Sequence, residues 1–135
     1  MVDPESVEKR IDRLNEFLTE LEEIRAAGHD AYSGDLRTRL AAQRSIQLAI
    51  QICIDIAAHL IAELGPKMPD DYRGVFGALT PELDPGLAER LADAAGMRNI
   101  LVHLYLEVDD EAVWDALSHL DDLRQFAAFA QQQLG

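Results

Sequence analysis

Apolar residues recur at Val7, Ile11, Leu14, Leu18 and Leu21, in steps of three and four that turn one face of a helix toward a core. Asp3-Pro4 supplies an N-cap with proline at the first helical position, and Gly28 closes the run. The opposite face carries Glu8, Arg13, Glu16, Glu20 and Glu23, a charge run expected to lie in solvent. Ser33-Gly34-Asp35 reopens the chain, and no Gly or Pro follows until Gly65-Pro66. Within that stretch Ile46, Leu48, Ile50, Ile52, Ile54 and Ile56 alternate with other residues, which is also the period of a half-buried strand. Gln47, Gln51, Asp55 and His59 step by four, however, and Arg37 and Arg44 fall on the same face at ~100° per residue. The uninterrupted length and the apolar continuation through Ala57, Leu60, Ile61 and Leu64 decide for a central helix with one polar stripe.

Residues 72–79 have room for a helical turn or two. Thr80-Pro81 and Asp84-Pro85 each offer an N-cap followed by proline, and the second is preferred for a helix holding Leu87, Leu91, Ala94 and Ala95. Gly96 either weakens that helix by roughly 1 kcal/mol relative to Ala or marks a close backbone approach. Asp109-Asp110-Glu111 caps a last helix with Val113, Leu117, Leu120, Leu123, Ala127 and Ala130 on its inner stripe. The expected fold is all-α: one domain over residues 1–135, a bundle of four long helices with one short one.

Composition narrows the class. A chain of 135 residues is long enough to bury a core without disulfide staples. The lone Cys53 sits among isoleucines, so it is expected to pack as a small apolar group in a reducing compartment, with the cytoplasm as the default location. The N-terminus is acidic and lacks a signal core, and the most apolar run is broken by Gln47, Gln51, Asp55 and His59, so no membrane segment is expected. With 25 acidic against 12 basic residues the net charge is −13, which repels nucleic acid at long range. Any RNA ligand therefore needs a local arginine cluster. Arg37, Arg39 and Arg44 are available for that, or for ordinary surface ion pairs.

Two constellations carry candidate chemistry. The polar stripe Arg44, Gln47, Gln51, Asp55 and His59 either faces solvent or pairs internally, or else forms one wall of a polar cleft, between helices or across a homodimer seam. Asp55 and His59 at i,i+4 make at most half a metal site, with no Cys pair and no Glu-x-x-His beside them, so neither metal nor other cofactor is expected. The second constellation is Gly96, Arg98, Asn99, His103 and Tyr105, polar groups set among apolar neighbours. Metal-free RNA cleavage needs a proton removed from the ribose 2'-hydroxyl, one delivered to the leaving oxygen, and charge stabilised on the phosphorus-bound oxygens. Histidine suits the proton steps and arginine the last. Asn99, four residues before His103, is placed to hold the imidazole or a phosphate oxygen. On an ideal helix Arg98 and His103 lie ~140° apart, and His103 and Tyr105 ~200°. The three meet only if the helix distorts near its end or two subunits converge, and convergence across a dimer cleft is expected.

The Arg-x-x-x-x-His spacing of Arg98 and His103, with Asn99 after the arginine and Tyr105 two residues past the histidine, resembles HEPN-domain proteins, and more narrowly the HepT branch. The resemblance spans nearly the whole chain, including the helix order and Asp55 on the second helix. It implies a homodimeric helical bundle acting as a metal-independent endoribonuclease, the toxin of a type VII toxin–antitoxin pair. Arg98 and His103 would be catalytic with Asn99 in support; the polar stripe itself, not the resemblance, offers Arg44, Gln51 and Asp55 as a possible cleft wall. The implied partner is a minimal nucleotidyltransferase of the MntA type that silences the toxin by placing AMP on Tyr105; Tyr72 and Tyr32 are the other phenols. A bulky anionic nucleotide beside His103 would block RNA and repel its phosphates. A competing expectation, favoured by the acidic charge, is a non-catalytic HEPN binding module that holds a nucleotide or a nucleotidyltransferase.

Overall fold

The alternation of isoleucines in the second apolar stretch resolves into helical periodicity. Leu48 and Ile52 are only half-buried, while Ala49, Cys53 and Ala57, which lie off the alternation, are fully buried. A strand would bury one parity; a helix buries a stripe of period 3.6. In the computed structural model, which describes residues 3–64 and 67–134, this helix, α3 (Leu36–Leu64), lies at the centre. It packs against α1 (Pro4–Ala27), α2 (His29–Ser33), α4 (Gly74–Gly77), α5 (Pro85–His103), α6 (Asp110–Ala116) and α7 (Leu120–Gln133). The expected stop at Gly65-Pro66 lies outside the described residues.

Helix boundaries follow local chemistry. The Asp3 side chain accepts from Glu5 N at 3.1 Å with Pro4 in the first turn, and α1 buries Val7, Leu14, Leu18, Leu21 and Ile24 along one stripe. Gly28 ends α1 at φ 97°, the left-handed side where only glycine is unstrained. Asp84 rather than Thr80 caps α5: its carboxylate accepts from Leu87 N at 2.9 Å, whereas the Thr80 hydroxyl donates backward to the Gly77 carbonyl at 2.7 Å.

Four long helical runs and the short α4 appear as expected, with two refinements. A short α2 follows Gly28, and the fourth run is not one helix: α6 gives way to a 3-10 turn, Leu117–His119, before α7. The inner stripe survives this break, because Val113, Leu117, Leu120, Leu123, Ala127 and Ala130 are all buried.

By length and composition alone, Leu36–Glu63 would cross a membrane. Its apolar faces are spent inside the bundle, where 56% of the most apolar window is buried.

Two anchors hold the ends of α5 in place. Before it, Val75 and Phe76 of α4 are buried, and Phe76 meets Phe126 of α7 edge to face at 5.3 Å. After it, Asp110 is tied to three groups: its carbonyl accepts from the Tyr32 hydroxyl at 2.7 Å, and its carboxylate accepts from Gln43 at 2.9 Å and pairs with Arg39 at 3.3 Å. Tyr32 also packs on Trp114 with ring centroids 5.1 Å apart. Arg98 meets α3 at Gln51 and Asp110 meets it at Gln43 and Arg39, so the chain from α5 into α6 runs antiparallel to α3.

Candidate functional site

Arg98 is half-buried on the face of α5 turned toward α3. Its Nε donates to Gln51 Oε1 at 2.6 Å and its Nη1 to Asn99 Oδ1 at 3.0 Å. Gln51 in turn donates from Nε2 to Asp55 Oδ1 at 2.9 Å, one turn further along α3. The guanidinium carbon sits 4.9 Å from the centre of the Tyr72 ring, within cation–π range. Three contacts thus fix the plane of the fork, while Nη2 has no hydrogen-bond or ion-pair partner among the described residues and carries the two hydrogens that suit a phosphate oxygen.

The polar stripe on α3 divides accordingly. Gln51 and Asp55 form the wall that holds Arg98. Arg44 is exposed and makes no hydrogen bond or ion pair among the described residues, and His59 is exposed as well. Arg39 is committed to Asp110 and to the Ser33 carbonyl, which makes it a structural residue. Asp55 and His59 gain no third ligand: among the described residues no group of three His, Cys, Asp or Glu could hold a metal. Cys53 is fully buried, and burial pushes its thiol well above the ordinary range.

The amide oxygen of Asn99 accepts from Arg98, so in this structure its side chain orients the arginine. Gly96 marks a close approach: a Cβ there would lie 2.6 Å from Nη1 of Arg73, whose guanidinium pairs with Asp93 at 3.1 Å across the same surface of α5.

The second half of the signature is built differently. His103 is the last residue of α5, because Leu104 leaves helical geometry at φ −122°, ψ 44°. Tyr105 then opens a 3-10 turn, Tyr105–Glu107, stitched by the Glu107 N–H donating to the Leu104 carbonyl at 2.8 Å. The helix therefore breaks after His103, which releases Tyr105 from its ~200° offset but leaves Arg98 and His103 on one helix, ~140° apart. The apolar neighbours do not bury these residues. His103 is exposed, Tyr105 is 71% exposed, and Ile100, Leu104 and Leu106 stand open beside them, Leu106 at 87%. Neither the His103 nor the Tyr105 side chain has a hydrogen-bond partner among the described residues.

The three phenols separate cleanly. Tyr32 is fully buried, its hydroxyl donates to Asp110, and burial, reinforced by the nearby acidic side chains, pushes its pKa up to about 12. Tyr72 lies beneath Arg98. Tyr105 is the most exposed of the three, at 71% against 43% for Tyr72. Tyr72 as the support of Arg98 was not legible from spacing, since it arrives from the segment before α4; an aromatic within Pro69-Asp70-Asp71-Tyr72 was its only signal. Tyr72 also lines an open cleft of about 600 Å³ between that segment, α3 and Asn99. A second cleft, of about 370 Å³, lies on the other side of α3 and α5 around Ile50 and Met97 and includes none of the signature's polar residues.

An all-α bundle with this arginine pinned on one helix, and a histidine five residues on at that helix's end, is a HEPN-type arrangement. The family model described as ribonuclease HepT-like matches residues 8–130. A tRNA nuclease HepT from Aphanizomenon flos-aquae is 30% identical over 139 aligned positions, covering 97% of this chain and 89% of that protein. An mRNA nuclease HepT from Shewanella oneidensis is 33% identical over 85, covering 61% and 64%. Among solved structures, a tri-AMPylated Shewanella oneidensis HEPN toxin in complex with its MNT antitoxin superposes with a TM-score of 0.86, covering 98% of this chain and 99% of the other at 24% identity. The chain belongs to the HepT-like family of ribonucleases.

Proposed function

We propose that the protein is a metal-independent endoribonuclease toxin of a type VII toxin–antitoxin pair, acting in the cytoplasm, with Arg98 and His103 cutting RNA at the cleft of a homodimer. The observation that carries this reading is the state of Arg98: oriented by Gln51, Asn99 and Tyr72, yet with Nη2 unpaired among the described residues. In the cleavage step His103 accepts the proton of a ribose 2'-hydroxyl, whose oxygen attacks the adjacent phosphorus while the bond to the 5'-oxygen breaks. Arg98 stabilises the charge that builds on the non-bridging oxygens. The leaving oxygen needs a proton at the same time, and one imidazole cannot both take and give in one step. A second copy supplies the second imidazole, and the exposed Ile100, Leu104 and Leu106 around His103 favour an interface there.

The same exposure supports Tyr105 as the site of silencing by a partner nucleotidyltransferase of the MntA type. The phenol oxygen attacks the α-phosphorus of ATP and pyrophosphate leaves, placing AMP within two residues of His103. Mass mapping after incubation with the partner and ATP should find AMP on Tyr105; AMP on Tyr72 alone would contradict the assignment.

One observation favours a second reading, a bundle that binds a nucleotide or a nucleotidyltransferase without cutting: the net charge of −13, which opposes RNA approach. Labelled RNA incubated in excess EDTA with the unmodified protein and with His103→Ala separates the two. Cleavage by the first only is expected. No cleavage by either, with both folded and neither carrying AMP, would favour the binding module.

A further inference from the structure

We infer that the open cleft beside Arg98 is a subsite for the base of the nucleotide flanking the scissile phosphate, and that it selects guanine. The inference rests on the nuclease reading above for the position of the phosphate; the chemistry of the cleft is independent of it. Tyr72 joins the two places, because Arg98 lies over its ring at 4.9 Å and the same residue, 43% exposed, lines the cleft. Asn99 likewise touches both, accepting from Arg98 and lining the cleft wall. A phosphate held on Nη2 of Arg98 therefore sets its neighbouring nucleotide against this opening.

The lining decides what can enter. Ile54, Met68, Val75 and the Tyr72 ring give apolar and aromatic surface, and Asp55, Asp70 and Asp71 give carboxylates, with no basic residue among the lining groups. Phosphate is repelled there, so the part of RNA that fits is a flat, neutral group carrying N–H donors. Single-stranded RNA is read in this way, by stacking on aromatic side chains and by hydrogen bonds to base edges.

The carboxylates differ in what they have left to offer. Asp55 Oδ1 already accepts from Gln51, and Asp71 Oδ1 accepts from Gly74 N at 2.9 Å. Asp70 has no hydrogen bond or ion pair among the described residues, so both its oxygens are available. A free carboxylate offers two adjacent acceptors and no donor. Guanine presents two adjacent donors, N1–H and the 2-amino group, which match it in a bidentate pair. Adenine and cytosine each present one amino group beside an acceptor, and uracil presents one N–H between two carbonyls. Each of these sets at least one base acceptor against a carboxylate oxygen. The donor-only stretch of the guanine edge is the one that fits an acidic cleft.

The test uses short unstructured RNA oligonucleotides that differ only in one base, with binding measured by fluorescence anisotropy on full-length His103→Ala so that nothing is cut. The guanine oligonucleotide is expected to bind roughly tenfold more tightly than its three counterparts, within the discrimination of a bidentate base contact. Asp70→Asn/Asp71→Asn, which keeps shape and an acceptor for Gly74 N, should bring the four within about twofold. Equal affinity for all four bases, or discrimination unchanged in the double variant, would overturn the inference. The wild-type protein cutting the same series keeps the two ideas apart. Cleavage of all four alike with equal binding rejects the guanine subsite and leaves the nuclease standing. Guanine-selective binding without cleavage keeps the subsite and rejects the nuclease.

Discussion

Arg98 and His103 are five residues apart on one helix, and the fold treats them in opposite ways. Arg98 is half-buried, held at Nε by Gln51, at Nη1 by Asn99, and supported on the Tyr72 ring, with Asp55 holding Gln51 in turn. His103 and Tyr105 are exposed, without partners among the described residues, beside the exposed side chains of Ile100, Leu104 and Leu106. One half of the candidate site is thus assembled within a single chain. The other half has the character of a surface awaiting something, since exposed apolar side chains clustered around polar groups mark places where partners bind.

The sharpest way to break the comparison is to disable each half separately. Arg98→Lys keeps a positive charge but loses the planar fork and its two side-chain partners. RNA cleavage is expected to fall about 100-fold or more, as for loss of a charge-stabilising donor. A rate within threefold of wild type in a gel-based cleavage assay would show that the fork is not what matters.

Gln51→Ala tests whether the held half depends on its holder. It leaves Arg98 Nε without an acceptor and Asp55 without its donor, so a loss of about 1 kcal/mol of stability is expected in urea unfolding. Cleavage should drop about tenfold through loosened positioning. His103→Ala gives the contrast: an exposed residue at a helix end should leave stability within about 0.5 kcal/mol while abolishing cleavage. Equal destabilisation by the two would erase the distinction between the halves.

A smaller effect concerns the anchor behind the exposed half. The Tyr32 phenol has an ordinary value of 10.0, raised in the fold to about 12 by burial and by nearby carboxylates. Its proton is held more tightly folded than unfolded, so its contribution is full below the unfolded value and is lost as pH rises from 10.0 to about 12. Thermal unfolding followed by the fluorescence of Trp114, the one tryptophan of the chain and a neighbour of Tyr32, should show the melting temperature falling across that range. Tyr32→Phe should flatten the fall; an identical slope in both would remove Tyr32 from the account.

Much of the fold was legible because helices declare themselves through local chemistry. Asp3-Pro4 and Asp84-Pro85 cap α1 and α5 as expected, and the stripes of α1 and of the final run are buried as their spacing implies, apart from Ile11, which is half-buried. The break at Leu117–His119 was not legible: a short 3-10 turn shifts the helical phase too little to disturb an apolar pattern. The period of α3 put Gln51, Asp55 and Arg44 on one polar face; in the structure Gln51 meets Arg98 and Asp55 meets Gln51, while Arg44 is exposed and apart. Periodicity assigns a face, but the length over which a neighbouring helix covers that face is a tertiary property. Tyr72 was hidden for the same reason, as a loop residue whose position depends on the burial of Val75 and Phe76. The contact between Arg98 and Asn99 was not legible from spacing, which placed Asn99 one turn before His103, because it depends on the arginine side chain bending back to its neighbour.

The claim that the exposed half is completed by a second copy is tested most directly by measuring cleavage rate per chain as a function of protein concentration, with solution mass determined on the same samples. Rate per chain is expected to rise with the dimer fraction and to vanish in the monomer, and Leu106→Asp should move both curves to higher concentration together. A monomer that cuts at the full rate per chain would contradict it.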